Sequence, residues 1–437
     1  MEADHNVAVA GRGVDRKINR EQVVLHLVLL WTIASFFAGF LFRENSIGGA
    51  RFDFDQFHWP IIERFSTMPW GTALADYSSA TNPLLYLIAS LLPLHDDPRF
   101  YQTITFGVAL LIWPLLSWAY HRRYSKFGIS WLWASFAASA ILCSPGFRSS
   151  AFWGTTDYLP LVFCAGTSLL LSRFQDSEAD EARTVSPFFL LALAATSACA
   201  FYTRQFYAFL PVVAAWTVLT RTKTSPLLVI SIFIAVMIPE GFLVYLWKGL
   251  NPPTFHHQFH PGISNIVFVG TNIGFLSTPL IVGSIRRSLG DVLPEWVGTR
   301  LTVLASLGLF AFMAMTATEW PEAGGGIIVK AGLRMGALGT PLILTVSYFG
   351  FVAAVLLATQ SATNALFVAT FVLPFLSAFP TYQHYLEPSL AVSLFLFADT
   401  RTARAVFTKR VLIFNFIFSA VILAAGIVYY APLRAAE

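Results

Sequence analysis

Between Arg51 and Tyr86 the chain reads RFDFDQFHWPIIERFSTMPWGTALADYSSATNPLLY, a long polar interruption in a very apolar sequence. Asp53, Asp55, His58, Glu63, Arg64 and Asp76 stand there among seven aromatic residues that precede Tyr86. Carboxylates able to move a proton, set with a histidine in aromatic surroundings just past a hydrophobic helix, suit sugar or phosphate chemistry at a membrane surface. A solvated amphipathic loop is the plainer reading of the same residues.

Glycosyl transfer from a lipid-phosphate donor asks little of a protein. One carboxylate takes the proton of an acceptor hydroxyl as that oxygen attacks the anomeric carbon. The leaving phosphate is already a weak base, so cations and hydrogen-bond donors suffice to receive it. Asp55 is the first candidate for the base and Asp53 its competitor; Phe52, Phe54 and Phe57 flank both and would raise a carboxylate pKa. The two also form an Asp-x-Asp pair, readable as a divalent-cation site or as a hydrated surface pair.

Other ionisable groups lie far along the chain, in short polar breaks between apolar runs. Asp157 sits in FWGTTDY, and Arg204 with Gln205 in YTRQFY. Lys248, His256, His257 and His260 occupy KGLNPPTFHHQFHPG, and His384, Tyr385 and Glu387 fall in PTYQHYLEP. The planar fork of Arg204 suits phosphate oxygens, with a snorkelling arginine at a helix end as the plain alternative. The histidines lack a helical i, i+4 frame and stand among Pro252, Pro253 and Pro261, so donor contacts are favoured over zinc and no metal ligand is assigned. Glu240, in MIPEGF, is a carboxylate within an apolar run and requires a partner that the sequence does not name.

The elements that must position these groups are membrane helices. The 437 residues are 56% hydrophobic and 12% charged, about half the charge of a soluble domain, and mean hydropathy is +0.63. Residues 1–22 are polar and basic, read as a cytoplasmic tail; the run that follows is too long for a signal peptide. Residues 23–437 are expected to form one multi-pass domain, with spans near 23–43, 103–120, 129–147, 156–173, 187–203, 206–221, 226–247, 263–285, 300–319, 339–358, 362–379, 385–398 and 411–431. Residues 44–102 are the first outer loop, in which 83–95 is too short to span and reads as an interfacial helix. With the N-terminus in the cytoplasm, this all-α architecture of about 13 transmembrane helices puts 18 of the 28 Lys and Arg on the inner side. It also brings the polar clusters named above to the outer face.

A net charge of +4 does not point to nucleic acid. Cys143, Cys164 and Cys199 fall within apolar runs at no ligand-like spacing. Gly324–Gly326 reads as a flexible connection, and no loop can house a soluble nucleotide-binding domain.

The outer loop resembles that of the endoplasmic-reticulum α-1,2-glucosyltransferases that add the terminal glucose to the lipid-linked N-glycan precursor. The likeness lies in Asp55-Gln56-Phe57-His58-Trp59-Pro60, then Arg64-Phe65, Asp76, and Thr81-Asn82-Pro83-Leu84-Leu85-Tyr86. Thr155-Thr156-Asp157, Arg204-Gln205, Lys248 through His260, and His384-Tyr385 resemble later family motifs in order. The chain departs from the pattern at Phe54, where the family has a second acid, at Leu84 for glycine and at His384 for arginine. The resemblance implies a GT-C fold and an inverting hexosyl transfer with one carboxylate base. It implies a polyprenyl-phosphate-sugar donor and a lipid-linked or envelope glycan acceptor. The membrane would be a bacterial inner membrane or an endoplasmic reticulum. On this reading Asp55→Asn loses turnover and keeps donor binding, whereas full activity there with loss in Asp53→Asn moves the base by two residues. A transporter or flippase is the competing class, expected to place ionisable groups near the bilayer midplane and to show two similar halves. An oligosaccharide polymerase or ligase is chemically closer, but is built around a large late outer loop.

Overall fold

The computed structural model describes residues 20–92, 97–174, 184–258, 262–284, 306–308, 310–311, 326–378 and 382–434. Among these residues there is helix and connecting chain and no strand. Most of the expected span 300–319, the acidic run 176–183 and His260 lie outside the described residues, as does the side chain of His257.

Helix α1 runs Arg20–Leu41, α6 Pro98–Tyr124 and α12 Pro226–Trp247. With α16 (Gly339–Ala358) and α20 (Lys409–Arg434), these belong to the five helical stretches that are long and apolar enough to cross a membrane. Their outward faces are apolar too: Leu27 and Leu30 on α1, and Ile234 and Ile238 on α12, are each more than half exposed. Side chains of that kind belong in hydrocarbon rather than in water. Shorter apolar helices fill the space between them, among them α7 (Trp131–Ser139), α9 (Leu159–Leu171), α10 (Pro187–Thr203), α11 (Phe209–Arg221), α13 (Ile263–Leu276) and α17 (Ala362–Ser377).

Several helix starts follow from a cap-proline pair, in which the cap side chain satisfies a free N–H and the proline needs none. Asp97 accepts from Arg99 N at 2.8 Å ahead of Pro98, and Ser186 accepts from Phe189 N at 3.2 Å ahead of Pro187. The same device corrects one expected span. Residues 129–147 do not form a single helix: a 3-10 turn over Ala140–Cys143 ends the first piece. Ser144 then caps α8 (Pro145–Trp153), accepting from Phe147 N at 3.2 Å. Helix α8 is buried along its whole length.

The segment between α1 and α6 holds several short helices. Helix α2 (Ala50–Asp53) passes into a π-helical turn (Phe54–His58) and on into α3 (Trp59–Thr67), followed by α4 (Trp70–Ala75) and α5 (Leu84–Ser90). At 1.5 Å per residue α5 is about 10 Å long, far short of a span. This segment is pinned down at both ends. Tyr77 stacks on Trp247 with ring centres 5.4 Å apart, and Trp247 Nε1 donates to Leu74 O at 2.9 Å. Asn82 Nδ2 donates to Glu240 Oε2 at 3.3 Å, which supplies the partner Glu240 required. At the exit of α1, Arg148 Nε donates to Glu44 Oε1 at 2.8 Å, and Arg148 Nη1 and Nη2 reach Leu142 O and Ser35 O. Both members of that ion pair are buried, so it ties the start of that segment to α8.

Candidate functional site

A cavity of about 650 Å³ opens where the segment between α1 and α6 meets the ends of several later helices. The α2–π segment gives it Asp53, His58 and the rings of Phe52 and Phe57. The turn after α8 gives Thr155, Thr156 and Asp157, and the turn after α10 gives Arg204. The start of α18 (Gln383–Phe397) contributes His384, Tyr385 and Glu387, with Tyr382 just before it. Lys330 and Arg334 come from α15 (Gly326–Arg334), and Tyr429 and Tyr430 from the end of α20. Residues more than 370 positions apart in sequence thus share one wall.

The arrangement is fixed by buried hydrogen bonds. Ser150 Oγ accepts from Asp157 N at 2.9 Å and from Tyr158 N at 3.2 Å, which holds the Thr155–Asp157 turn against α8. Asp157 Oδ1 then accepts from Arg204 Nε at 2.6 Å. The Arg204 guanidinium lies over the Tyr385 ring, 4.4 Å from its centre. His58 Nδ1 is 2.6 Å from the Tyr86 hydroxyl, which is also 3.0 Å from Ser79 Oγ and 3.1 Å from Thr81 Oγ1. Burial, with Arg204 adding to it, pushes the His58 pKa down to about 3, so the imidazole is neutral at physiological pH.

Asp53 is the carboxylate of the α2–π segment that reaches this space. Burial raises its pKa to about 6, the charge of Asp157 adds to the effect and Arg204 opposes it. A carboxylate so poised is ionised at neutral pH and more basic than one in water, as a general base should be.

Several residues expected at the site lie elsewhere. Asp55 does not line the cavity: it is exposed and 3.5 Å from Arg51 Nε. The reason is periodicity, since helical residues two apart point about 200° away from each other. For the same reason the Asp-x-Asp pair does not converge on one point, and among the described residues no group of three or more His, Cys, Asp or Glu could hold a metal ion. Arg64 and Asp76 pair with each other at 2.8 Å away from the cavity. Gln205 Nε2 donates to Ala80 O at 3.1 Å, joining the Arg204 turn to the segment between α4 and α5 without lining the cavity. Lys248 ends α12 with a φ of 55°, and His256 Nε2 is 3.1 Å from Trp247 O; neither lines it. Asp53, His58, Asp157, Arg204, His384 and Tyr385 are brought together.

Sequence reasoning missed Lys330, Arg334 and the tyrosine pair of α20. The signal was the i, i+4 spacing of two cations in a short helix just after Gly324–Gly326, hidden by the length of apolar chain on either side. No protein-family model matches the chain, and no curated protein or solved structure matches it either.

Proposed function

We propose that the protein is a membrane glycosyltransferase that moves a hexose from a polyprenyl-phosphate-sugar donor to a hydroxyl of a lipid-linked or envelope glycan, with inversion at the anomeric carbon. The observation that carries this reading is Asp53, a carboxylate raised to about 6 inside a cavity of about 650 Å³ that also holds cations and aromatic rings. In the step itself Asp53 takes the proton of the acceptor hydroxyl while that oxygen bonds to the anomeric carbon. The bond from that carbon to the phosphate oxygen breaks, and polyprenyl phosphate leaves with the electron pair. The chain's part is to orient the two substrates, exclude water behind Phe52 and Phe57, and meet the charge of the departing phosphate with cations.

The same reading takes the thirteen-span topology, with a cytoplasmic N-terminus and the cavity on the outer face, as the arrangement that delivers a lipid-borne donor from the bilayer. The likeness of the outer segment to the α-1,2-glucosyltransferases supports the reaction class. The test is transfer of labelled sugar from synthetic polyprenyl-phosphate sugars by purified protein. Asp53→Asn is expected to lower turnover by about 10²–10⁴-fold, the contribution of a positioned base, with donor binding retained. Full turnover in that variant ends the assignment of Asp53.

A further inference from the structure

Resting on that reading of the cavity, we propose that the donor's phosphate, a diester that leaves as a prenyl phosphate monoester, is held by Lys330 and Arg334 on α15, and not by Arg204. The guanidinium of Arg204 is committed to the buried carboxylate of Asp157, so the pair brings almost no net charge to an incoming anion. Lys330 and Arg334 are different. Both line the cavity, and among the described residues neither has a carboxylate partner. Each instead touches a tyrosine hydroxyl: Lys330 Nζ donates to Tyr430 at 3.2 Å and Arg334 Nη2 to Tyr429 at 2.7 Å.

The helix is built to present them. Val329 and Gly332 are buried on its inner side. A side chain on Gly332 would meet Gly339 O at 3.1 Å and Ile343 at 2.7 Å, so α15 lies close against α16 there. At its start Ile327 N donates to Gln383 Oε1 at 2.9 Å, which fastens α15 to α18 beside His384. Lys330 and Arg334, four residues apart, share the remaining face. Two like charges at that spacing repel each other and oppose the helix that carries them, unless an anion lies between. The lysine offers a mobile point charge and the arginine a planar fork, a combination that matches the two non-bridging oxygens of the donor's phosphodiester and the second charge that the departing monoester gains. The two tyrosine hydroxyls hold both cations at the cavity wall and can themselves donate to phosphate oxygens.

The experiment measures binding rather than catalysis, so it separates this assignment from the transfer reaction. The purified full-length protein is titrated with farnesyl phosphate, farnesol and inorganic phosphate, for the wild type, Lys330→Ala with Arg334→Ala, and the charge-keeping Lys330→Arg. Farnesyl phosphate is expected to bind the double variant at least about tenfold more weakly, the scale of losing charge-assisted hydrogen bonds. Farnesol should bind both proteins alike, and Lys330→Arg should stay within a few-fold of wild type. Equal farnesyl phosphate affinity in wild type and double variant overturns the proposal. So does inorganic phosphate binding as tightly as the prenyl ester, since the site would then read a free anion. If the double variant also loses farnesol, the closer replacements Lys330→Met and Arg334→Gln take its place and are read by the same criterion. Cation-dependent farnesyl phosphate binding without sugar transfer would uphold the anion site and remove the transferase.

Discussion

Asp157 accepts from Arg204 Nε at 2.6 Å across 47 residues of chain, and both side chains are nearly excluded from solvent. Such a pair is a weak source of net stability but a costly one to halve, because the survivor is left charged and buried. Asp157→Asn is therefore expected to destabilise the protein by about 3–5 kcal/mol, with the cost falling when Arg204→Met is added. Thermal unfolding of the single and double variants in one detergent measures it. A single variant as stable as the wild type would mean that Arg204 finds another partner.

Asp53 sets a pH dependence of known sign. Its folded pKa of about 6 lies above its ordinary value of 3.8, so the folded chain binds that proton more tightly than the unfolded chain does. The stability it contributes is complete below 3.8 and is lost as pH rises through about 6, which leaves the ionised carboxylate as a cost at pH 7. The shift corresponds to about 3 kcal/mol at most, and solvent reaching the half-buried side chain reduces this to about 1 kcal/mol. Asp53→Asn should thus unfold at a higher temperature than wild type at pH 7.5 and at nearly the same temperature at pH 3, below both values. Turnover of the wild type should fall as pH drops through about 6, where Asp53 takes up its proton, with no contribution from His58, which titrates much lower. A two-proton acid limb would bring in a second group.

Asp55 supplies the matching negative case. It is half exposed and its contact with Arg51 is a surface pair at 3.5 Å. Such pairs contribute about 0–1 kcal/mol. Asp55→Asn is expected to change the unfolding temperature little and to keep turnover within about twofold, inside the usual range for a surface substitution. A large loss of turnover would return the role of base to Asp55.

How far the site could be read from the sequence depended on the type of residue. The helix start at Ser186-Pro187 is local chemistry and agrees with the span drawn from 187, whereas the span drawn from 103 misses the start at Pro98, where Asp97 supplies the cap. Telling Asp53 from Asp55 requires knowing that residues 50–67 are helical, because aromatic flanks are shared by both and only the helical period separates them. The span drawn over 129–147 failed at Ser144-Pro145, where a cap and a helix start were overruled by continuous hydrophobicity. Nothing in the sequence pairs Glu44 with Arg148, 104 residues further on. The same holds for Arg334 and Tyr429, whose contact exists only once α15 and α20 are packed.

The Glu44–Arg148 pair also allows one substitution to be given opposite signs at two places. Gly39, on α1, has no room for a side chain: a Cβ there would lie 2.3 Å from Arg148 Nη2, 2.7 Å from Glu44 Oε2 and 2.7 Å from a ring carbon of Phe152. These neighbours cannot retreat, because Arg148 is held by Glu44, Ser35 and Leu142 and lies against the rings of Phe36 and Phe152. Gly107, within α6, has nothing within 4 Å of the same added atom. Gly39→Ala is expected to cost about 1–3 kcal/mol through overpacking, and more if the ion pair is forced apart. Gly107→Ala should instead stabilise by about 0.5–1 kcal/mol, since alanine gives up less backbone freedom than glycine in a helix interior. Unfolding of the two variants side by side in the same detergent checks both signs at once. A Gly39→Ala protein that melts with or above the wild type would show that the packing between α1 and α8 is looser than these distances require.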